Sequence, residues 1–313
     1  MGYITFSTLG ESGGMCSQLQ SYASLLAVAK ANNKEVVFAK SMFDKGCGIK
    51  IFDLLNIIPN IKPDNFFKDF ILKQINFHTT SYDKTLFNLD KSNYDLTGRF
   101  DLYTYWYNDI KEKIDKWEVK WDILVKAKER LYYIKELLGD KPTVSIHIRR
   151  GDYTLPQNQP LNIITQDYYL KAITENFTPI KDYIFLVFSN DIEYAKNMLE
   201  GDNIWFVEPE GIDSYSYTSS EKDDLALLSL CDNHIITNST YSWWGAYLSK
   251  NPNKKIICPT NWVQSYSSVW MNGSYYPKNW INVDNNNQKI IVNYRQGDEK
   301  GNLKEEIKSN EWK

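Results

Sequence analysis

The side chains best equipped for chemistry in this 313-residue chain are gathered in one short run at 143–155, TVSIHIRRGDYTL. An apolar stretch ends there on His147, Arg149, Arg150 and Asp152. Strand geometry puts Ser145, His147 and Arg149 on one face and Ile146, Ile148 and Arg150 on the other. An arginine at the carboxyl end of a strand can offer a planar fork of N–H donors to a phosphate. Asp152 is near enough in sequence to pair with one arginine and hold that fork rigid. Two other readings fit the same residues: a salt-bridged strand end with no ligand, and an exposed adhesive Arg150-Gly151-Asp152 tripeptide. The adhesive reading needs a loop tip on a secreted protein.

A second run, DDLALLSLCDNHIITNSTYSWWGAYL at 223–248, carries Asp224 at the start of a helical stretch. Asp224 there is either a cap that interacts with the helix dipole or a carboxylate kept for a ligand. TNST, at 237–240, follows a strand and opens a helix. Asn238, Ser239 and Thr240 can therefore cap that helix or hold an anion together with its backbone N–H groups. Trp243 and Trp244 are read as core packing rather than as sugar-stacking faces. Near the amino terminus GESGG, at 10–14, brings Gly13 and Gly14 to the mouth of a helix, followed by Ser17 and Gln18. That turn is either a third anion site of the same type or a plain tight turn.

These residues need elements to hold them. Residues 3–9 read as a buried strand, 15–34 as a helix and 35–39 as a second strand, which together make a βαβ unit. The middle, from about 50 to 135, is less regular. Residues 121–138 read as an amphipathic helix that Gly139 and Pro142 stop. Beyond it, strands at 144–148, 183–188, 203–207, 234–237 and 255–258 alternate with helices at 167–175, 192–199, 223–230 and 240–249. Ser189-Asn190-Asp191 is the cap of one of these helices. Alternation of this kind implies a parallel sheet flanked by helices, with ligands at the carboxyl ends of its strands. The expected organisation is α/β, with an N-terminal domain at 1–138, a C-terminal domain at 139–282 and a polar tail at 283–313.

Length suits two domains of roughly 130–150 residues. A net charge of −3 argues against a surface built to coat nucleic acid. Cys16, Cys47, Cys231 and Cys258 form no CxxC, so a zinc site is not expected, and the chain holds no Asp-x-Asp pair to suggest a divalent metal. The 22 Tyr and 10 Trp fit either a large core or faces for sugar rings. No basic segment followed by a long apolar one opens the chain, and no run reaches the roughly 18 apolar residues of a membrane span. The expectation is a cytoplasmic protein with free thiols, its sequons at Asn176, Asn238 and Asn272 unused, and peripheral contact with the inner membrane face left open.

HIRRGDY at 147–153, followed by STYSWWGAYL at 239–248, resembles the bacterial α-1,2-fucosyltransferases of glycosyltransferase family 11, and the similarity extends over most of 4–262. The resemblance implies a GT-B-like fold of two Rossmann-type domains facing a cleft, the second holding most of a GDP-sugar donor. It also implies inverting, metal-independent transfer of L-fucose from GDP-fucose, with no cofactor. The acceptor would be a galactoside hydroxyl of a glycan, lipid-linked or free, and the linkage α-1,2. Carried onto this chain, Arg149 would grip the β-phosphate with Arg150 beside it, and Asp152 would orient the arginine. Asp224 and His147 would meet the guanine. Ser239 and Thr240, next to Asn238, would line the phosphate loop, and Gly13, Gly14, Ser17 and Gln18 would form the N-terminal loop. The sequence departs from the family pattern with Cys16 for glycine, Ser17 for asparagine, Gln20 for phenylalanine, Arg99 for tyrosine and Asp101 for glutamine. Leu161-Asn162 stands where a His-Gly pair is common. The general base is unassigned; Asp101, Glu11 and Asp152 are the candidates. Transfer from another GDP-sugar, or a non-catalytic carbohydrate-binding or adhesive role, are the alternatives.

Overall fold

The computed structural model describes residues 2–11, 13–44, 48–69, 71–78, 82–100, 102–155, 163–208, 220–262 and 275–285. Two parallel sheets organise them. The first contains β1 (Gly2–Thr5), β2 (Lys34–Val36), β5 (Leu72–His78) and β6 (Asn93–Arg99), in the order β2-β1-β6-β5. Its pairings are all parallel. A separate parallel pair joins β3 (Phe38–Ala39) to β4 (Ile61–Lys62).

The second sheet holds β7 (Thr143–Ile148), β8 (Ile184–Ser189), β9 (Ile204–Val207), β10 (Asn233–Ile235), β11 (Ile256–Pro259) and β12 (Ile281–Val283). Its spatial order, β12-β11-β10-β7-β8-β9, is the doubly wound order of dinucleotide-binding folds. The direction of winding reverses between β7 and β10, so a crevice opens there at the strands' carboxyl ends. In the first sheet the reversal falls between β1 and β6. This is the GT-B-like arrangement expected from the sequence.

Eight α-helices run through the described residues: α1 (Met15–Ala31), α2 (Ile51–Leu54), α3 (Tyr107–Ile114), α4 (Trp121–Leu138), α5 (Gln166–Asn176), α6 (Ile192–Met198), α7 (Glu221–Leu230) and α8 (Thr240–Leu248). In α4, Ile123, Ala127 and Ile134 recur at helical spacing and are buried, and the helix packs against α7. α1 and α8 are buried almost all round and pack on each other, so neither presents a wide solvent face. At Gly245 the crossing of α7 and α8 is so close that a Cβ would lie 2.5 Å from Leu228 Cδ2.

One core cluster runs through both sheets. Its centre is a column of stacked rings: Tyr22 on Trp117 (5.8 Å, 20°), Trp117 on Trp244 (5.7 Å, 21°) and Trp244 on Trp106 (5.6 Å, 18°). Trp243 is buried beside them and donates its indole N–H to the Tyr275 carbonyl at 2.8 Å. The core reading of Trp243 and Trp244 is therefore borne out. The Tyr247 hydroxyl donates to Asp115 at 2.6 Å, and the Lys250 ammonium donates to the carbonyls of Asp115 and Trp117, closing the seam at its rim.

Three expectations need correction. β1 ends at Thr5 rather than at residue 9, because the chain turns to let the Ser7 amide and hydroxyl donate to the buried carboxylate of Asp95 at 2.8 and 2.7 Å. The strand expected at 35–39 is two strands, β2 in the first sheet and β3 outside it. The middle region, read as irregular, supplies β5 and β6. Of the tail expected at 283–313, only 283–285 fall among the described residues, and Val283 is buried at the end of β12.

Candidate active site

The second sheet builds one wall of the crevice. All six residues of β7 are buried, as a central parallel strand covered on both faces requires, and its polar residues follow immediately at the carboxyl end. Arg149 and Arg150 part there to different partners. The Arg149 guanidinium is ion-paired with Asp152 and lies 5.1 Å from the centre of the Tyr153 ring. The Arg150 guanidinium lies 3.8 Å over Tyr194 on α6, with Nε 3.4 Å from Asp191 Oδ2. Its amide donates to Asn190 Oδ1 at 2.8 Å. Gly151 has φ +60°, and a Cβ there would collide with the Asn190 side chain, so this position needs glycine twice over. The tripeptide at 150–152 is thus folded against α6 and Arg149, and is not displayed as a loop tip.

β10 forms the other lip of this crevice. Ser239 caps α8 by accepting from the Tyr241 amide at 3.3 Å, and no acidic residue lies in the first turn of that helix. The partial positive charge of the helix start therefore stays available to an anion. Asn238 is buried and spent on the fold: its amide donates to the Trp262 carbonyl at 2.8 Å and its carbonyl accepts from Thr237 Oγ1 at 3.0 Å. The Tyr153 hydroxyl donates to the Asn238 backbone carbonyl at 3.0 Å and ties the two lips together.

The first sheet supplies the opposite wall. Gly13 has φ +103°, and Gly14 stands at the start of α1 with no side-chain cap and no acid in the first turn. Ser17, on the first turn of α1, comes within 3.2 Å of Thr240 on the first turn of α8, hydroxyl to hydroxyl. Two helix starts from different sheets thus meet at one place. Gln18 shapes the loop: its amide donates to the carbonyls of Gly10, Gly13 and Gly48, and its Oε1 accepts from the Lys50 amide at 2.9 Å. Lys50 also pairs with Glu221, the first residue of α7, at 3.8 Å.

The capping role considered for Asp224 belongs to its neighbour. Ser220 and Asp223 form a reciprocal capping box on α7, whereas Asp224 accepts from Arg130 of α4 at 2.9 Å. Arg130 also donates to the Glu208 carbonyl at 3.0 Å. His147 is buried against Tyr241, with ring centres 5.2 Å apart, and its Nδ1 has no hydrogen-bond partner among the described residues. Arg149, Asp152, His147, Ser239, Thr240, Ser17, Gly13 and Gly14 therefore line one region, while Asn238, Gln18 and Arg150 brace it. Asp101 lies outside the described residues, Glu11 is exposed in the turn after β1, and Asp152 is taken up by Arg149. The sequence reading missed Tyr153, Tyr241 and Arg130. Tyr153 stood inside the quoted motif, whereas nothing in the sequence marked Arg130.

Burial, with Arg149 adding to it, holds the pKa of His147 down to about 3. Burial does the same to His234, also to about 3, with Lys254 adding. An unfolded chain protonates its histidines near about 6.5, so between these limits the unfolded state binds more protons than the folded one. Stability therefore rises with pH across that window and falls as pH drops through about 6.5. The expected loss reaches about 1.4 kcal/mol per pH unit for each histidine. Denaturant midpoints measured near neutrality and at about pH 5 check this, and His234→Asn should flatten the slope.

The glycosyl transferase family 11 model matches residues 5–284. The O-antigen biosynthesis glycosyltransferase WbnK of Escherichia coli is 34% identical over 170 residues, 53% of this chain and 53% of that protein. An Escherichia coli alpha-1,2-colitosyltransferase is 26% identical over 87% of this chain and 97% of its own length. The galactoside alpha-(1,2)-fucosyltransferase 1 of Oryctolagus cuniculus is 25% identical over 77% of this chain and 64% of its own. In fold, the chain is similar to a mutant of Arabidopsis thaliana FUT1 solved with GDP, with a TM-score of 0.50 at 12% identity, covering 82% of this chain and 70% of that one. Among the described residues no helix is long and apolar enough to cross a membrane.

Proposed function

The chain belongs to glycosyl transferase family 11, and on that premise we propose that it moves L-fucose from GDP-fucose to a galactoside hydroxyl of a glycan, with inversion and in α-1,2 linkage. The observation that carries the reading is that Arg149, just after β7, and the start of α8, just after β10, follow the two strands that flank the switch point of the second sheet. In the transfer, the acceptor oxygen bonds to the anomeric carbon as the bond from that carbon to the β-phosphate oxygen breaks. The hydroxyl proton passes to a base, and GDP leaves with the bonding electrons. Negative charge grows on the diphosphate as the sugar carbon becomes cationic. A fixed guanidinium and helix-end N–H groups stabilise that charge with little reorganisation, so the reading calls for no bound metal. The neutral imidazole of His147 and the carboxylate of Asp224, which also holds Arg130, would meet a guanine base beside this cradle.

Transfer of colitose is the second reading, favoured by the Escherichia coli relative matched over 97% of its length. Colitose is fucose without its 3-hydroxyl, so the two donors differ in one polar group. The O-antigen relative supports a polysaccharide acceptor, and on this reading the transfer takes place at the cytoplasmic side of the inner membrane.

The test is calorimetric titration with GDP, ADP and UDP, followed by transfer from GDP-fucose, GDP-colitose and GDP-mannose to a galactoside panel with EDTA present. The expected result is selective binding of GDP and transfer from GDP-fucose. Glycan binding with neither GDP affinity nor GDP release would overturn the enzyme reading in favour of a carbohydrate-binding protein. Transfer from GDP-colitose alone would select the second reading.

A further inference from the structure

Three tyrosine hydroxyls fasten the carboxyl ends of the two strands that flank the crevice of the second sheet. From α5, Tyr169 donates to the His147 carbonyl near the end of β7 at 3.0 Å, and Tyr168 donates to the Ile236 carbonyl just beyond β10 at 2.6 Å. Both rings are buried, so each lip is held from beneath. Tyr153 works across the gap between them. It lies in the short 3-10 helix Gly151–Thr154 that follows β7, and its hydroxyl donates to the Asn238 carbonyl at 3.0 Å. Its ring centre is 5.1 Å from the Arg149 guanidinium. Asn238 is a firm anchor: it is buried, and its side chain is bonded to Trp262 and Thr237. The next residue, Ser239, caps α8.

One side chain therefore touches both groups suited to a diphosphate. Its ring lies beside Arg149, and its hydroxyl holds the residue that leads into α8. We infer that Tyr153 is a positioning residue that sets the span between Arg149 and the start of α8, matching the crevice to two successive phosphates rather than to one. This rests on the transferase reading above. A ligand that reaches one of the two groups does not feel the span. A ligand that bridges them meets a gap already at the right width, so little of its binding free energy is lost in setting it.

Calorimetric titration with GMP and with GDP tests this in the full chain and in Tyr153→Phe, which keeps the ring beside Arg149 and removes the tie. Tyr153 is partly exposed, so the substitution leaves the fold standing. The wild-type protein should prefer GDP to GMP. In Tyr153→Phe, affinity for GDP should fall about three- to tenfold, the scale of one hydrogen bond, while affinity for GMP stays within about twofold. Tyr153→Leu, which also removes the ring contact, should lose more GDP affinity and no more GMP affinity. The kcat/KM for GDP-fucose should fall at least as far as the affinity for GDP. A general loosening of the fold would weaken both nucleotides alike, so equal losses would overturn the inference. Unchanged GDP affinity and kcat/KM in Tyr153→Phe would also overturn it. Wild-type protein that binds GMP as tightly as GDP would sink the span while leaving transfer itself to the donor assay. Wild-type protein that binds neither would overturn the transferase reading, and the inference with it.

Discussion

Arg149→Ala is expected to lower kcat for sugar transfer by about 10²–10³-fold, the equivalent of about 2.7–4 kcal/mol lost from the transition state. The guanidinium is placed for this before any ligand arrives, since Asp152 pairs with it and the Tyr153 ring lies 5.1 Å away. Preorganisation matters because the diphosphate gains charge only as the glycosidic bond breaks. Affinity for GDP-fucose should accordingly fall less than kcat does. Arg149→Lys should recover little: a lysine keeps the charge but loses the planar fork and the ring contact. Steady-state rates of GDP release at saturating donor and acceptor, alongside calorimetry with GDP, separate the two effects. An Arg149→Ala enzyme with unchanged kcat and a raised KM would show that Arg149 binds the donor without assisting the chemistry.

Trp244→Ala is expected to destabilise the protein by about 3–5 kcal/mol, the range for removing a fully buried aromatic side chain. Trp244 is 0% exposed and stacks on both Trp106 and Trp117. Each aromatic pair adds about 0.5–1.5 kcal/mol beyond the area it buries. Its indole nitrogen has no hydrogen-bond partner among the described residues, so packing alone carries the contribution. Trp121, 70% exposed at the start of α4, is the control. Trp121→Ala should change stability by no more than about 0.5 kcal/mol. Guanidinium denaturation of both variants measures the difference, and similar midpoints would contradict the assignment of the ring column as the centre of the core.

The second half was more legible in the sequence than the first for a physical reason. Its inner strands are covered on both faces, so IFLVF and IIC read as apolar runs, and caps such as Asp191 mark the helix starts. β5 and β6 escaped because LKQINFH and NYDLTGR mix polar residues through a partly exposed sheet, and Asp95 in β6 is buried only because Ser7 satisfies it. At the site, the motif residues declared Arg149, Asp152, Ser239 and Thr240 as candidates. The contact of Ser17 with Thr240, 223 positions apart, was not legible, because it depends on how the two sheets face each other. Gln18 and Asn238 looked like ligand contacts because they stand in motif loops. Their side chains instead hold the loops in shape, a role that spacing alone does not distinguish from binding.

The ring column has a consequence for biosynthesis. Tyr22 and Trp117 leave the ribosome well before Trp244, the ring on which Trp117 stacks, and Trp280 is needed to cover Trp243. The amino-terminal sheet therefore cannot complete its interior while it is being made, and a sticky aromatic surface stays open to water until the last quarter of the chain appears. Truncated products and stalled nascent chains should be targets for holdase chaperones, and folding should wait on translation of the final strands rather than proceed one half at a time.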